Sequence, residues 1–291
     1  MRFLRHVPLV ALLGASLTSC TTTDALTEVP VTPTSGVRFI NAVPDSTGAF
    51  GLDFHFIDVV ENSTAFRVPF RNTIVTTAGV PASTAVQYRA AAAGTRHFAI
   101  FLDDTLQSVT STKLKDSTVT LVDGKNYTFI LWGAARAGQM KLTVIEETIA
   151  DPGAKVALRV INTSGSAIDV RTFKTGTALP ATATWSNVAA LSASTFVTAD
   201  TGAISYNVQP AGGGTALFAD VQALLGAVAF STAGALGKLD IEAVPGTRVA
   251  GSAVTLVVYP PSTVGARTPQ TPAFAVPAGA FVWDRRPPRL F

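Results

Sequence analysis

Thiols and imidazoles are scarce in this chain of 291 residues, which contains one cysteine and three histidines. A single cysteine excludes an intrachain disulfide and a cysteine-rich zinc site, because both need at least two thiols. Charged residues make up only 14% of the sequence, whereas hydrophobic residues make up 47%. This composition excludes a mainly disordered chain and predicts a protein whose stability comes from its apolar core.

The one cysteine, Cys20, lies at the end of an N-terminal targeting segment. Two arginines precede an apolar run over residues 7–17, and the segment closes with Leu17-Thr18-Ser19-Cys20. A cationic start, a short apolar stretch and small residues before the cut are typical of a secretory signal. The segment resembles a lipoprotein signal peptide, in which the cysteine becomes the acylated N-terminus. We therefore predict a signal peptide over residues 1–19 and lipidation of Cys20; the alternative is a plain secretory signal with a chance cysteine.

Lipidation predicts a cell-envelope protein that is attached to a membrane through its N-terminus. Thr21 follows the cysteine, where aspartate is the usual inner-membrane retention signal of lipoproteins, so the resemblance favours the outer membrane. Residues 21–35 are rich in Thr and Pro and lack an apolar period. In an extended form they span on the order of 45 Å. We predict a tether over residues 20–35, with the rest of the chain facing either the periplasm or the exterior.

The charge of the mature chain is close to balance. Arg2 and Arg5 leave with the signal, so 20 of the 22 basic residues remain against 19 acidic residues. The one local basic cluster consists of Arg285, Arg286 and Arg289 near the C-terminus. Proteins that bind nucleic acid collect many basic residues on one face. We therefore predict no nucleic-acid partner and interpret the cluster as a solvated tail.

Short runs with an apolar period of two dominate the chain from Gly36 onward. Alternation occurs at residues 52–56, 118–121 and 140–144, which is typical of half-buried strands. Asp123-Gly124 lies between two apolar runs and predicts a hairpin, since both residues tolerate a positive φ. Long amphipathic helical patterns are absent. The pattern predicts an all-β fold built of antiparallel β-sandwiches of the immunoglobulin-like or transthyretin-like type.

Four segments of the first half return in the same order about 120 residues later, which indicates an internal duplication. The matched pairs are Val37–Asn41 with Leu158–Asn162, Leu52–Phe54 with Ile168–Val170, Tyr88 with Phe196, and Gly124–Trp132 with Gly251–Tyr259. Tyr88 and Phe196 each precede a glycine by six residues. We predict two tandem sandwich domains over residues 36–150 and 154–291, joined at Asp151-Pro152-Gly153.

The duplicated segments also carry a family resemblance. Val37–Asp45, Leu52–Phe54, Ala93-Gly94 and Gly124–Thr128 resemble the bacterial domain-of-unknown-function 4397 family. The second half departs from it at Thr163-Ser164-Gly165, where the first has Ala42-Val43-Pro44, and lacks a Tyr-Thr pair in its last segment. The resemblance implies a secreted or surface-attached β-sandwich module, often in tandem. It implies no catalytic residues.

Only two histidines remain once the signal is removed, and they are the main candidates for chemistry. Asp53, His55 and Asp58 have the composition of half a metal site, but two or three side chains rarely complete a coordination shell. Arg171 takes the place of His55 in the second half, which favours a solvated face. The sequence has no Gly-x-Ser-x-Gly motif whose serine His97 could activate as a general base. We predict no metal, no cofactor and no catalytic residue; a hydrolase that uses Asp53, His55 or His97 is the alternative.

Acidic pairs and one uncharged stretch receive structural interpretations. Asp103-Asp104, Glu146-Glu147 and Asp240 with Glu242 are interpreted as solvated turns, with calcium at the first pair as a minor alternative. The uncharged stretch over residues 221–237 falls short of a membrane span and is interpreted as buried strands around a turn.

Four aromatic residues, Trp132, Trp185, Tyr259 and Trp283, fit either a sandwich core or a surface on which sugars stack. The leading hypothesis is a non-enzymatic envelope protein that acts as a binding, adhesion or structural module. A carbohydrate-binding module and an envelope hydrolase are the alternatives. The expected partners are the membrane, through the lipid, and an envelope glycan or protein.

Overall fold

The computed structural model of the protein describes residues 32–45, 51–58, 67–73, 82–83, 86–234 and 237–287. The predicted signal peptide, Cys20 and the tether as far as residue 31 lie outside the described residues, as does Arg289. Within the described ranges, no helix is long and apolar enough to cross a membrane.

Two four-stranded sheets form the first half of the chain. Sheet A contains, in spatial order, β5 (Arg89–Ala92), β1 (Thr34–Ala42), β8 (Asn126–Trp132) and β9 (Lys141–Glu147). Sheet B contains β3 (Arg67–Val68), β2 (Gly51–Phe56), β6 (Gly94–Asp103) and β7 (Lys113–Leu121). Two short helical turns accompany them, a 3-10 turn (Phe70–Thr73) and α1 (Gln107–Thr110). The predicted all-β class is confirmed.

The second half has the same arrangement of two sheets. Sheet C contains β13 (Ser192–Ala193), β10 (Val156–Asn162), β19 (Ala253–Tyr259), β20 (Ala278–Arg285) and β4 (Ala82–Ser83), with β14 (Val197–Ala199) also paired to β10. Sheet D contains β12 (Trp185–Val188), β11 (Ile168–Lys174), β15 (Ile204–Pro210) and β16 (Phe218–Gln222). A separate two-stranded hairpin contains β17 (Phe230–Gly234) and β18 (Gly237–Ile241).

Each half packs its two sheets face to face around an apolar core. In the first half, phenylalanines from both sheets fill the core, and the rings of Phe98 and Phe129 lie 4.7 Å apart. The alternation predicted for β2 is confirmed, because its apolar residues are buried while Asp53 and His55 are partly exposed. In the second half, the ring of Tyr206 packs edge-on against Phe281 at 5.2 Å.

Strand direction and one connection differ from the prediction. The pairs β1–β8, β10–β19 and β4–β20 are parallel, so sheets A and C are mixed, whereas sheets B and D are antiparallel as predicted. Asp123-Gly124 forms a tight turn in which Gly124 has φ 71°, but the turn leads from β7 in sheet B to β8 in sheet A. The predicted hairpin is therefore wrong. From Tyr127 to Trp132 every residue of β8 is buried, and a strand covered on both faces takes a central place in its sheet.

Sheets A and C share a third apolar core, which lies between the two sandwiches. Its members come from both halves and include Ile40, Trp132, Val257 and Tyr259. The strand β4 comes from the first half of the chain but pairs with β20 in sheet C. Contacts accordingly group residues 34–291 into one compact unit.

Candidate functional site

Two arginines from matching positions of the repeat lie in the space between sheets A and C. Arg38 is on β1 and Arg159 is on β10, and their side chains are 0% and 5% exposed. Arg38 Nε donates to Thr128 Oγ1 at 2.8 Å, and Arg159 Nε donates to Thr255 Oγ1 at 2.9 Å. Each threonine is the register partner of its arginine in a parallel strand pair. The same Arg–Thr pair therefore occurs in both halves.

Glu147 and Asp284 complete a charge quartet with the two arginines. Glu147 accepts hydrogen bonds from Arg159 Nη1 at 2.8 Å, from Arg159 Nη2 at 3.0 Å and from Arg38 Nη2 at 3.3 Å. Asp284 accepts from Arg159 Nη2 at 2.9 Å and from Arg38 Nη2. The hydroxyls of Thr128 and Thr255 donate to the two carboxylates. Two positive and two negative groups are thus buried together and neutralise one another.

The two carboxylates of the quartet keep its arginines charged. Burial alone disfavours the guanidinium ion, but the nearby carboxylates of Asp284 and Glu147 outweigh it and raise the pKa of Arg38. The same balance raises the pKa of Arg159. Both arginines therefore stay charged, and a buried charge is tolerable only while its partners remain.

An aromatic ring covers each arginine of the quartet. The Arg38 guanidinium lies 4.6 Å from the centre of the Tyr88 ring, and that of Arg159 lies 4.4 Å from the centre of the Phe196 ring. These are cation–π distances. Tyr88 and Phe196 are the pair that the sequence repeat aligned, so the aligned residues make the same contact in both halves.

Arg71 connects the halves at a second place. Its guanidinium is buried and donates to backbone carbonyl oxygens of the loop between β19 and β20 (260–277, the β19–β20 loop). The acceptors are Pro260 at 2.5 and 3.2 Å, Val276 at 2.6 Å, Ala273 at 3.1 Å and Phe274 at 3.4 Å. None of these acceptors is a carboxylate. Burial lowers the pKa of Arg71 to about 10, which leaves it charged at neutral pH.

An open cleft of about 310 Å³ adjoins the charge quartet. It is lined by Gln87, Tyr88, Asn126, Trp283, Asp284, Arg285 and Arg286. Asp284 belongs to the quartet and Tyr88 covers its Arg38, so the cleft opens next to buried charge. Arg286 is exposed, and its guanidinium lies 5.7 Å from the centre of the Trp283 ring. The cleft therefore offers an aromatic face together with amide and cationic groups.

The structure separates the four aromatic candidates. Trp132 and Tyr259 are buried in the core between sheets A and C, and Trp185 is buried in the core of the second half. Trp283 alone of the four is partly exposed, and it lines the cleft. Three of the four aromatic residues are therefore core residues, and Trp283 alone of the four remains a candidate for stacking on a sugar ring.

Asp53, His55 and His97 lie on the outward face of sheet B and Asp58 follows β2, and none of them lines the cleft. The Nε2 atom of His55 is 3.7 Å from Asp53 Oδ2, and His97 Nε2 contacts Asp116. Asp58 accepts from Arg96 Nη2 at 3.2 Å and from the His97 amide at 2.9 Å. Slight burial opposes its charge, but these hydrogen bonds lower the pKa of Asp58. Among the described residues, no three His, Cys, Asp or Glu side chains form a metal-binding group.

In a comparison with protein-family models, residues 35–172 match the domain of unknown function DUF4397. The chain contains a DUF4397 domain. The match spans β1 to β9 and continues through β10 and most of β11. A search of curated proteins gives no match to the chain. Arg38, Tyr88, Thr128, Glu147 and Arg159 all lie inside the matched DUF4397 range.

Three charged residues differ from the solvated positions predicted for them, although their neighbours Glu146 and Arg286 are exposed. Glu147 and Asp103 are buried, at 7% and 3% exposure, although both acidic pairs were expected in solvated turns. Glu147 lies at the end of β9 and is drawn inward by the two arginines of the quartet. Arg285 belongs to β20 rather than to a solvated tail, and its Nη2 atom donates to Asp151 at 2.8 Å. The sequence showed their charge but not the partner that each would meet.

Proposed function

We propose that the chain is a non-enzymatic, lipid-anchored cell-envelope protein in which two copies of the DUF4397 domain form one rigid binding or structural module. The observation that carries the proposal is the equivalence of the two halves around the charge quartet. Each half contributes an arginine, its threonine partner on the parallel neighbour strand, and an aromatic ring over the guanidinium. Such agreement in sequence, register and contact supports duplication of one domain.

The extent of the contact between the halves supports a rigid module. An apolar core, a neutralised charge quartet, the strand β4 and the β19–β20 loop all join one half to the other. Domains within one chain usually move relative to each other unless their interface is large and apolar. A module of this kind suits presentation of loops and clefts at a fixed geometry. The sequence at Leu17–Cys20 supplies the proposed attachment, with the outer membrane favoured by Thr21.

Carbohydrate binding at the cleft is a second candidate function, and the position of Trp283 favours it. An aromatic face that is partly exposed in a cleft can stack against the apolar face of a sugar ring. The amides of Gln87 and Asn126 lie in the same cleft and can both donate to and accept from sugar hydroxyls. An envelope glycan is therefore the ligand class that fits this cleft best.

Replacing Cys20 with alanine is expected to abolish acylation and release the chain from the membrane fraction. Intact mass of the wild-type N-terminal peptide should show an acylated Cys20 as its first residue. The matched control is Thr21→Asp, which keeps the cysteine and should move the chain toward the inner membrane of a double-membraned host. An unmodified Cys20 inside a longer mature chain contradicts the anchor.

Replacing Trp283 with alanine is expected to weaken glycan binding about tenfold, because the loss of a stacking face costs on the order of 1.4 kcal/mol. The measurement is a titration of the purified protein against glycans that an array of envelope polysaccharide fragments identifies. Phe230→Ala is the matched control, since Phe230 is a half-exposed aromatic residue outside the cleft. Equal affinity of the Trp283 variant and wild type, or no glycan retained at all, removes carbohydrate binding.

A further inference from the structure

The hairpin of β17 and β18 has one apolar face and one polar face. Residues directly opposite in an antiparallel pair project to the same side of the ribbon. Phe230 is opposite Ile241, and Thr232 is opposite Leu239, which makes one side mainly apolar. On the other side, Ser231 is opposite Asp240, and its hydroxyl donates to that carboxylate at 2.5 Å.

The apolar face is exposed, so the burial predicted for residues 221–237 holds at Val221 and Ala223 but not at Val228 and Phe230. Phe230 is 47% exposed and Leu239 is 59% exposed. Val228, two residues before Phe230, is 63% exposed, and Val244 at the base is 50% exposed. The two strands pair only with each other among the described residues. An isolated two-stranded hairpin is marginally stable in water, so this one gains from an apolar surface to lie against.

The base of the hairpin is fixed to the second sandwich. Leu224 packs on its core, and its carbonyl accepts from the Thr247 amide at 2.7 Å. Ala227 and Val244 form a β-bridge that closes the base. The exposed side chains therefore project from a held base rather than from a loose loop.

The distribution of charge along the hairpin suits a bilayer surface. No charged residue occurs between Asp220 and Lys238, and the acidic residues Asp240 and Glu242 follow on the side of the base. The sequence from Phe230 to Lys238 is thus uncharged except for that lysine, which is compatible with anionic lipid headgroups. A stable protein interface buries about 800 Å² per partner, whereas this face offers only a few side chains.

We propose that the apolar face of this hairpin inserts shallowly into the lipid surface to which the chain is anchored. The inference rests on the proposed lipidation of Cys20, because an acylated N-terminus keeps the chain at the lipid surface. Tethering raises the effective concentration of a second contact with the same surface, so a few apolar side chains suffice. Insertion holds the module against the membrane.

The test uses residues 20–291, which include every described residue, coupled through the single thiol of Cys20 to vesicles of phosphatidylethanolamine and phosphatidylglycerol that carry a maleimide lipid. The variant Phe230→Trp reports depth through quenching by lipids brominated in their acyl chains. We expect quenching and a blue shift of its emission beyond those of the parent chain. Adding Leu239→Ser to the reporter variant should reduce both signals.

Leu179→Trp is the matched control, since Leu179 has the same 47% exposure as Phe230 but lies between β11 and β12. Equal quenching of the two reporters, or no quenching of either, overturns the insertion. The anchor is decided separately by the mass of the N-terminal peptide from cells. An acylated Cys20 with an unquenched Phe230→Trp reporter removes this inference and leaves the proposed function intact.

Discussion

Replacing Arg38 with leucine is expected to lower the free energy of unfolding by about 3–5 kcal/mol, the usual cost of removing one member of a buried ion pair. The variant leaves Glu147 and Asp284 buried with Arg159 as their only cation from the quartet. One negative charge is then uncompensated where water cannot solvate it. Denaturant unfolding followed by the fluorescence of the buried Trp132 and Trp185 measures the change.

Two further variants separate the loss of charge balance from the loss of a side chain. Lys155→Leu removes a cation whose pair with Asp200 at 3.4 Å is 54% and 73% exposed, and it should cost less than about 1 kcal/mol. Combining Arg38→Leu with Asp284→Leu leaves the neutral pair of Arg159 and Glu147. The double variant should therefore be less destabilised than the sum of the single variants. Additive losses, or an Arg38 loss as small as that of Lys155, contradict the quartet.

The sequence predicted where the strands lie better than it predicted which strands pair with each other. Leu52, Phe54 and Phe56 alternate with polar residues, and this period depends only on which face of the strand meets a core. The strand was therefore predictable from local sequence. The parallel pairing of β8 with β1 depends on residues about 90 positions apart, for which a local pattern holds no signal. For the same reason, the turn at Asp123-Gly124 fits both a hairpin and a crossing between sheets.

The two arginines of the charge quartet are recognisable in the sequence. Arg38 and Arg159 each interrupt a short run that is otherwise apolar, residues 37–40 and 158–161, and they align in the repeat. A charged residue that recurs at one place in a buried strand indicates a buried partner of opposite charge. Glu147 gave no comparable sign, because it follows another glutamate at the end of a strand. Arg71 gave none either, since its acceptors are backbone carbonyls that every sequence provides.

For the hairpin of β17 and β18, the sequence pattern predicts burial that the structure does not show. Residues 221–237 are uncharged, and a run of this kind is normally buried. Burial, however, depends on whether the fold supplies a second surface. Sheets C and D complete the second sandwich without β17 and β18, so Phe230 and Leu239 remain outside. This mismatch between composition and exposure is the observation on which the proposed lipid contact of the hairpin depends.

Replacing Arg71 with leucine is expected to release the β19–β20 loop from the first half and to lower the free energy of unfolding by about 3 kcal/mol. The change leaves several carbonyl oxygens, among them those of Pro260 and Val276, without their donor, and an unsatisfied buried acceptor costs about 1–3 kcal/mol. Arg71 has φ 57°, in the left-handed region, so leucine inherits the same backbone strain and the comparison isolates the side chain. Hydrogen–deuterium exchange of peptides from residues 260–277 should become faster.

The matched control for Arg71 acts on the same loop from the surface. Arg136 Nη2 donates to the carbonyl oxygen of Gly265 at 2.7 Å in an exposed position. Water replaces that donor in Arg136→Leu, so exchange in the loop and the free energy of unfolding should change little. Arg71→Lys should behave almost like Arg71→Leu, because an ammonium group cannot reach carbonyls that a planar guanidinium spans. Unchanged exchange in Arg71→Leu, or equal acceleration in Arg136→Leu, shows that Arg71 does not hold the loop.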